Sequence, residues 1–160
     1  MSKIGRSLTV AVRQSHRLLS FENASREICM TASERTDLIR HACEARQRAH
    51  APYSKFLVGA ALLTESGEII SGCNVENASY GLTICAERVA FGTAVAAGHR
   101  RFQALAIATS GGHPPCGACR QFAAEFCDSL PILLIDSDHP DHVTESNLRD
   151  LLPGRFALKP

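Results

Sequence analysis

Two kinds of hydrophobic pattern alternate along this chain, and they predict helices and strands in turn. From residue 34 to about residue 50, apolar side chains recur every three or four positions, which is typical of an amphipathic helix, and Pro52 ends it. Residues 56–63 form a nearly continuous apolar run, as expected for a buried strand. A polar turn at 65–68 leads into a second strand at 69–74, so the two strands form a predicted hairpin.

The rest of the chain continues this alternation and completes an α/β pattern. After an irregular polar segment at 74–83, the predicted elements are a helix at 85–97, a strand at 102–110, a helix at 117–127, a strand at 131–136, a polar loop at 138–144 and a short helix at 145–152. A hairpin followed by strand–helix–strand crossovers predicts a mixed sheet that is covered by helices.

The N-terminal segment lacks this regular pattern. We expect residues 1–30 to be an extension outside the fold and residues 31–160 to form the folded domain. Thr31 and Glu34 make a capping-box pattern that opens the first helix, so Met30 is a candidate for the true initiator, which the intact mass of the native protein tests. No apolar run reaches the roughly 18 residues of a transmembrane helix, and the N-terminus lacks the hydrophobic region of a secretory signal.

Composition and charge indicate a single domain without an electrostatic preference for nucleic acid. The 160 residues suit one domain, and the net charge of +1 gives no electrostatic reason to expect nucleic acid. Residues 1–29 hold five basic and two acidic residues, which leaves 12 basic and 14 acidic residues for the mildly acidic remainder. The seven cysteines are an odd number, and free thiols suit a reducing cytosol better than a disulfide framework, so we expect a cytoplasmic protein.

Three of those cysteines have the spacing of metal ligands. Cys85 precedes one predicted helix, and Cys116 and Cys119 form a C-x-x-C pair at the start of another. Three protein ligands on Zn²⁺ leave the fourth tetrahedral position open for water, which is the arrangement of a catalytic site. Zinc lowers the pKa of that water towards 7, and Glu87 is a carboxylate able to shuttle protons beside it. This order of residues is typical of zinc-dependent nucleobase deaminases, with Cys in place of their first His.

Each of these residues also has a plainer interpretation. A lone C-x-x-C pair is compatible with structural zinc or a redox dithiol, and Cys73 or Cys127 would be needed to close a structural site. Glu87 suits the first turn of a helix because it favours the helix dipole. Its spacing of two from Cys85 would place the two side chains on different faces of a regular helix, so spacing alone does not direct Glu87 towards the metal.

Five motifs follow one another along the chain, at residues 51–62 (APYSKFLVGAAL), 72–80 (GCNVENASY), 85–88 (CAER), 115–121 (PCGACRQ) and 151–156 (LLPGRF). Together they resemble the small homotetrameric cytidine deaminases, and the resemblance extends from about residue 33 to residue 156. It implies a three-layer α/β/α fold with helices on both faces of a mixed sheet, with residues 31–160 as the catalytic domain.

The resemblance also implies a reaction and roles for the metal-site residues. One Zn²⁺ per subunit would be held by Cys85, Cys116 and Cys119, and zinc-bound hydroxide would convert cytidine and 2′-deoxycytidine to uridine and 2′-deoxyuridine plus ammonia, a step of pyrimidine salvage. Glu87 would move the protons. Arg88 would hydrogen-bond the thiolates, which offsets the net negative charge that three of them give the zinc site.

Substrate and subunit contacts follow from the same resemblance. Asn74 and Glu76 would bind the ribose 3′-hydroxyl, Phe56 would flank the base, and main-chain groups of Ala86 would bind the pyrimidine edge. Tyr80 and Phe156 would complete active sites in a homotetramer, with Phe156 stacked on the base. The expected partners are therefore a free nucleoside and other copies of the chain, without nucleic acid or membrane.

Three alternatives stay open from the sequence. A deaminase of the blasticidin type shares the metal motif, although residues 74–77 (NVEN) favour a plain nucleoside. Deamination of polynucleotide cytosine calls for a basic groove and stacking aromatics, whereas this chain has no Trp and 6% aromatic residues. A non-enzymatic zinc-stabilised binding domain would fill all four zinc positions and would not depend on Glu87 for any turnover.

Overall fold

A five-stranded sheet with helices on both faces makes up the computed structural model, which describes residues 30–139 and 141–158. Its elements in chain order are α1 (Ala32–Arg46), β1 (Gly59–Thr64), β2 (Ile69–Cys73), a 3-10 helix (Tyr80–Leu82), α2 (Ala86–Ala96), β3 (Phe102–Thr109), α3 (Gly117–Ala124), β4 (Pro131–Asp136), β5 (Val143–Asn147) and α4 (Leu148–Leu151). The N-terminal extension was predicted at residues 1–30, of which residues 1–29 lie outside the described residues.

The strands lie in the order β2-β1-β3-β4-β5. Only β3 and β4 are parallel, and the other neighbouring strands pair antiparallel, so the sheet is mixed as predicted. The predicted hairpin is confirmed by the β1–β2 register, in which Gly59 lies opposite Cys73 and Leu63 opposite Ile69. Every residue of β1 is buried, which explains why this strand has a continuous apolar sequence.

Separate cores on the two faces of the sheet confirm the three-layer arrangement. On one face, Leu38 and Ala42 of α1 pack against Ala61 and Leu63 of β1. On the other face, the core contains Ala86, Ala90 and Phe91 of α2, Ala123 and Ala124 of α3, Leu148 of α4 and inward side chains of β1, β3 and β4. Within the described residues, no helix is long and apolar enough to cross a membrane.

The capping box predicted at the start of α1 is present. The Glu34 amide donates to Thr31 Oγ1 at 3.2 Å, and the Glu34 carboxylate accepts from the Thr31 amide at 2.8 Å. These bonds satisfy two amides that lack partners within the helix. Met30, which immediately precedes the cap, packs against the core beneath α1.

The predicted helix at 145–152 is wrong over its first three residues. Residues Val143–Asn147 form β5, which pairs antiparallel with β4, and the helix that follows is the short α4. An edge strand with solvent on one side needs few apolar residues, and Thr144 and Glu145 are exposed, so β5 lacks the alternation that identifies a strand in sequence. Asn147 ends the strand and caps α4 by accepting from the Arg149 amide at 3.0 Å.

Two glycines let helices lie unusually close to the sheet. A Cβ at Gly72 of β2 would meet the Ala86 carbonyl oxygen of α2 at 2.5 Å and would also meet the Ala90 amide. On the opposite face, a Cβ at Gly59 would meet the backbone of α1. Both contacts are with backbone atoms, which cannot swing aside as the end of a flexible side chain can, so any larger residue must displace a helix.

We expect Gly72→Ala to lower the free energy of unfolding by about 1–3 kcal/mol, because the added methyl group overpacks the contact between β2 and α2. Gly92→Ala is the matched control, because Gly92 lies in α2 with no atom within 4 Å of an added Cβ. That substitution should stabilise the helix by up to about 1 kcal/mol. Urea unfolding of both variants measures the difference, and equal stabilities would show that the close approach at Gly72 is unimportant.

Candidate active site

The N-termini of α2 and α3 bring the three predicted metal ligands together. Cys85 is the N-cap of α2, Cys116 is the N-cap of α3, and Cys119 lies in the first turn of α3. The sulfur atoms all lie within 4.8 Å of one another, and those of Cys85 and Cys116 are 3.9 Å apart. Backbone hydrogen bonds between Val75 and Ile84 hold the residue that precedes Cys85 against the segment that follows β2.

The donor set of this thiol cluster (Cys85, Cys116 and Cys119) fits zinc. In the described part of the chain, it is the one group of three or more His, Cys, Asp or Glu side chains arranged to share a metal ion. Cys73 instead donates to the Arg48 carbonyl at 3.4 Å, and Cys127 is buried in the core beside α3 and α4. His113 contacts the ring of Phe56, with ring centroids 6.1 Å apart, and is not part of the cluster. Three soft ligands, with no fourth His, Cys, Asp or Glu in the group as far as the described residues go, match an open zinc site.

The surroundings of the thiols favour ionisation at Cys85. Hydrogen bonding from Cys119 is the largest influence, and with Arg88 and Cys116 it lowers the pKa of Cys85 to about 5. Hydrogen bonding to Cys85 is the largest cause that raises the pKa of Cys119, and burial and the negative charges of Glu87 and Cys85 raise it further. The two shifts have opposite directions because the Cys119 thiol donates a hydrogen bond to the Cys85 thiolate, which favours the ionised form of Cys85 and the protonated form of Cys119.

Glu87 faces this cluster although the spacing of two did not predict it. Cys85 is in the extended conformation (φ −70°, ψ 152°) and precedes the regular helix, so the face rule of a helix does not apply to this pair. The Glu87 side chain is buried, with 5% of the residue exposed. Burial is the largest cause that raises the pKa of Glu87, the negative charge of Cys85 raises it further, and a hydrogen bond from Cys119 opposes the shift. A carboxyl group in this environment binds a proton more readily than one on the surface.

The guanidinium of Arg88 lies against the same sulfur atoms. Its Nη2 donates to Cys85 Sγ at 3.6 Å and to the Thr83 carbonyl at 3.2 Å. Hydrogen bonding to Cys85 is the main cause of the raised pKa of Arg88. The contact that the sequence resemblance implied between Arg88 and a cysteine ligand is therefore present in the structure.

A second group of polar contacts surrounds the segment that enters β1. The amide side chain of Asn74 accepts from the Val58 amide at 2.8 Å and donates to the Phe56 carbonyl at 2.9 Å. These two bonds hold residues 56–58 beside the sheet rather than in it, which is why β1 begins at Gly59 and not at the predicted Phe56. Phe56 is 41% exposed as a residue, so it is not part of the core and is available to a ligand.

Glu76 fastens the preceding turn. Its Oε2 accepts from the amides of Tyr53 at 2.9 Å and Ser54 at 3.2 Å, and its Oε1 accepts from the Ser54 hydroxyl. The bond from the Ser54 hydroxyl is the largest cause of the lowered pKa of Glu76. Ser54 was missed in the sequence, where the only available signal was a serine two residues before the Phe56 amide, a spacing that suits a local hydroxyl turn.

The remaining predicted substrate residues occupy different surroundings. Ala86 is buried at the first position of α2, between Cys85 and Glu87. Tyr80 is 79% exposed and meets Tyr53 edge-on, whereas Phe156 is 70% exposed and its carbonyl accepts from Gln121 at 2.8 Å. Arg155, also missed in the sequence, ties the C-terminal segment to the end of α3 by donating to the carbonyls of Ala124 and Cys127.

Comparison with known proteins gives a consistent result. Residues 32–133 match the model of the cytidine and deoxycytidylate deaminase zinc-binding region. A cytidine deaminase of Sporosarcina psychrophila is 50% identical over 123 residues, which cover 75% of this chain and 89% of that protein. A crystal structure of cytidine deaminase from Burkholderia pseudomallei is 46% identical, with a TM-score of 0.73, and the match covers 79% of this chain and all of that one.

The alternative of the blasticidin type is represented by a more distant relative. Blasticidin-S deaminase of Bacillus cereus is 28% identical over 116 residues, which cover 64% of this chain and 79% of that protein.

The matched region of the family model includes all three cysteines of the thiol cluster, Glu87 and the whole of the sheet up to Leu133. The chain therefore belongs to the cytidine and deoxycytidylate deaminase family.

Proposed function

We propose that this protein hydrolyses cytidine and 2′-deoxycytidine to uridine and 2′-deoxyuridine, with release of ammonia. The observation that carries the proposal is the buried carboxyl group of Glu87 beside a three-thiol cluster that leaves one zinc position open. The 50% identity to a cytidine deaminase over three quarters of the chain supports the choice of nucleoside. A role in pyrimidine salvage and a cytoplasmic location agree with a free nucleoside substrate and with thiols that must stay reduced.

The cysteines and Glu87 divide the chemistry between them. Cys85, Cys116 and Cys119 would hold zinc, and the metal, when bound, would lower the pKa of a coordinated water so that a nucleophile exists at neutral pH. Glu87 accepts a proton from the attacking water and delivers one to N3 of the cytosine ring. It then takes the remaining proton from the new hydroxyl group on C4 and passes it to the amino group, which leaves as ammonia while the C4 oxygen becomes the carbonyl of uridine. The raised pKa of Glu87 suits a carboxyl group that must hold a proton between these transfers.

The polar groups left free at Asn74 and Glu76 match one sugar hydroxyl. An amide nitrogen has two donors, and Asn74 uses one of them on the Phe56 carbonyl. Glu76 is acceptor-only when ionised, and its lowered pKa keeps it so. A ribose 3′-hydroxyl therefore finds both a donor and an acceptor. Phe56 lies beside the base, and the main chain at Ala86 binds the pyrimidine edge.

We also propose that the active form is a homotetramer in which neighbouring subunits complete each site. Large apolar side chains remain exposed in the described residues, including Tyr80, Leu82 and Phe156. Tyr80 begins the 3-10 helix that follows Glu76 in the chain, and the Phe156 carbonyl accepts a hydrogen bond from Gln121 of α3. Both residues are therefore held in position while their side chains stay exposed. Phe156 would stack on the base in the site of a neighbouring copy.

Replacement of Glu87 tests the reaction directly. We expect Glu87→Gln to lower kcat for cytidine about 10²–10⁴-fold, because an amide cannot transfer the protons. Zinc content and the circular dichroism spectrum should stay unchanged, and Glu44→Gln on the exposed side of α1 is the matched control. Full turnover of cytidine by Glu87→Gln would contradict the mechanism. If the wild-type protein deaminates blasticidin S but not cytidine, the protein is instead an antibiotic deaminase.

Arg88 offers a test of how the thiol cluster is held. We expect Arg88→Ala to lower the affinity for zinc, measured against a chelator, or to lower kcat, in either case by about 10–100-fold. The reason is that the thiolates lose a positively charged hydrogen-bond donor. Arg40→Ala, which removes an exposed arginine from α1, controls for the loss of charge. Metal analysis after dialysis gives the first quantity, and wild-type values of both zinc content and kcat would refute the role of Arg88.

The C-terminal segment tests the proposed tetramer. Native mass spectrometry should give four subunits for the wild type. We expect Phe156→Ala to raise KM for cytidine about fivefold, because a stacked ring contributes about 1 kcal/mol beyond its burial. Leu158→Ala removes an exposed apolar residue from the same tail and should leave KM unchanged. A monomer with full activity would contradict the shared site.

A further inference from the structure

One serine hydroxyl connects the two sides of the proposed nucleoside pocket. Ser54 Oγ accepts from the Phe56 amide at 3.0 Å and donates to Glu76 Oε1. The backbone of the residue expected to flank the base is thus joined through a single oxygen to the carboxylate expected to bind the sugar. None of the three residues belongs to a helix or to a strand of the sheet, so the sheet does not fix their separation.

The turn that contains Ser54 depends on these contacts for its shape. Lys55 has a positive φ of 60°, a conformation that residues other than glycine seldom adopt. Its amide donates to the Ala51 carbonyl at 3.1 Å, and the positive φ turns the chain so that the Phe56 amide points back at the Ser54 hydroxyl. Without a bond at that point, the strained turn has fewer contacts that oppose its relaxation.

The hydrogen bonds that Glu76 already accepts limit how many more it can accept from a ligand. An ionised carboxylate offers about four acceptor positions over its two oxygens. The amides of Tyr53 and Ser54 occupy both positions on Oε2, and the Ser54 hydroxyl occupies one on Oε1. A single acceptor position therefore remains on Oε1, enough for one hydroxyl group of a ligand.

We propose that Ser54 is a positioning residue that directs Glu76 towards one sugar hydroxyl and sets the distance between that hydroxyl and the ring of Phe56. The inference rests on the proposed function, in which Glu76 binds the 3′-hydroxyl. If Ser54 has this role, it increases the selectivity for nucleosides that carry the hydroxyl group, because a site built to hydrogen-bond a hydroxyl disfavours an analogue that lacks it. Ser54 thereby contributes to the choice between sugars that have a 3′-hydroxyl and sugars that do not.

The test compares 2′-deoxycytidine with 2′,3′-dideoxycytidine, which differ in the 3′-hydroxyl alone. We expect Ser54→Ala to reduce the ratio of their kcat/KM values by about fivefold or more, because a misdirected Glu76 gains less from the hydroxyl. Ser54→Thr keeps the hydroxyl group and should restore most of the ratio. Ser66→Ala is the matched control, since Ser66 also donates to a glutamate, Glu68, at 3.1 Å, but in the turn between β1 and β2.

An equal fall of kcat/KM for both nucleosides in Ser54→Ala, with the ratio unchanged, would overturn the proposal and reduce Ser54 to a structural role. A second readout separates this failure from a failure of the proposed function. In the unliganded protein, Ser54→Ala should raise the pKa of Glu76, followed by carbon-13 NMR of its carboxyl group, because the hydroxyl bond is the main cause that lowers it. An unchanged pKa of Glu76 would refute the link even if the wild type turned over neither nucleoside.

Discussion

Three sulfur atoms held within 4.8 Å of one another are the constraint on which the rest of this site depends. Ionised thiols at such distances repel one another, so the cluster is favourable in its fully ionised form when the sulfurs share a cation. The protein prepares for that state with two helix N-termini and with Arg88, which all place positive charge beside the sulfurs. Burial raises the pKa of Glu87, and the negative charge of Cys85 in this cluster raises it further. Metal binding and proton transfer therefore depend on the same local charges.

The sheet determines whether those charges meet. Cys85 and Glu87 are placed by α2, which lies against β2 at Gly72, whereas Cys116 and Cys119 are placed by α3 after β3. Since the two helices belong to one face of one sheet, a displacement of either helix separates the ligands. A glycine with no chemistry of its own thus controls the geometry of the metal site, because its missing side chain lets α2 approach.

Much of this arrangement could be predicted from the sequence where local signals are strong. The capping box at Thr31, the hairpin and the strand at 131–136 follow from patterns of a few residues, and the structure confirms each of them. The strand β5 could not be found in this way, because its stability comes from pairing with β4 rather than from its own composition. The helix predicted there shows how a polar edge strand can imitate the exposed start of a helix.

In the candidate site, too, some residues could be predicted from local sequence signals and others could not. The three cysteines were predicted from spacing, but the direction of Glu87 came from the resemblance, because the extended conformation of Cys85 cannot be read from a spacing of two. Ser54 and Arg155 were missed because their partners, Glu76 and the end of α3, are 22 or more residues away in sequence. Such long-range contacts depend on the finished fold and leave no local pattern.

The most direct test of the account is the stoichiometry of the reaction with cytidine. Purified protein with one zinc per subunit should consume cytidine, followed by its ultraviolet absorbance, and release uridine and ammonia in equal amounts. Removal of zinc by a chelator should stop the reaction, and added zinc should restore it. A folded, zinc-loaded protein that leaves cytidine and 2′-deoxycytidine unchanged would contradict the central claim.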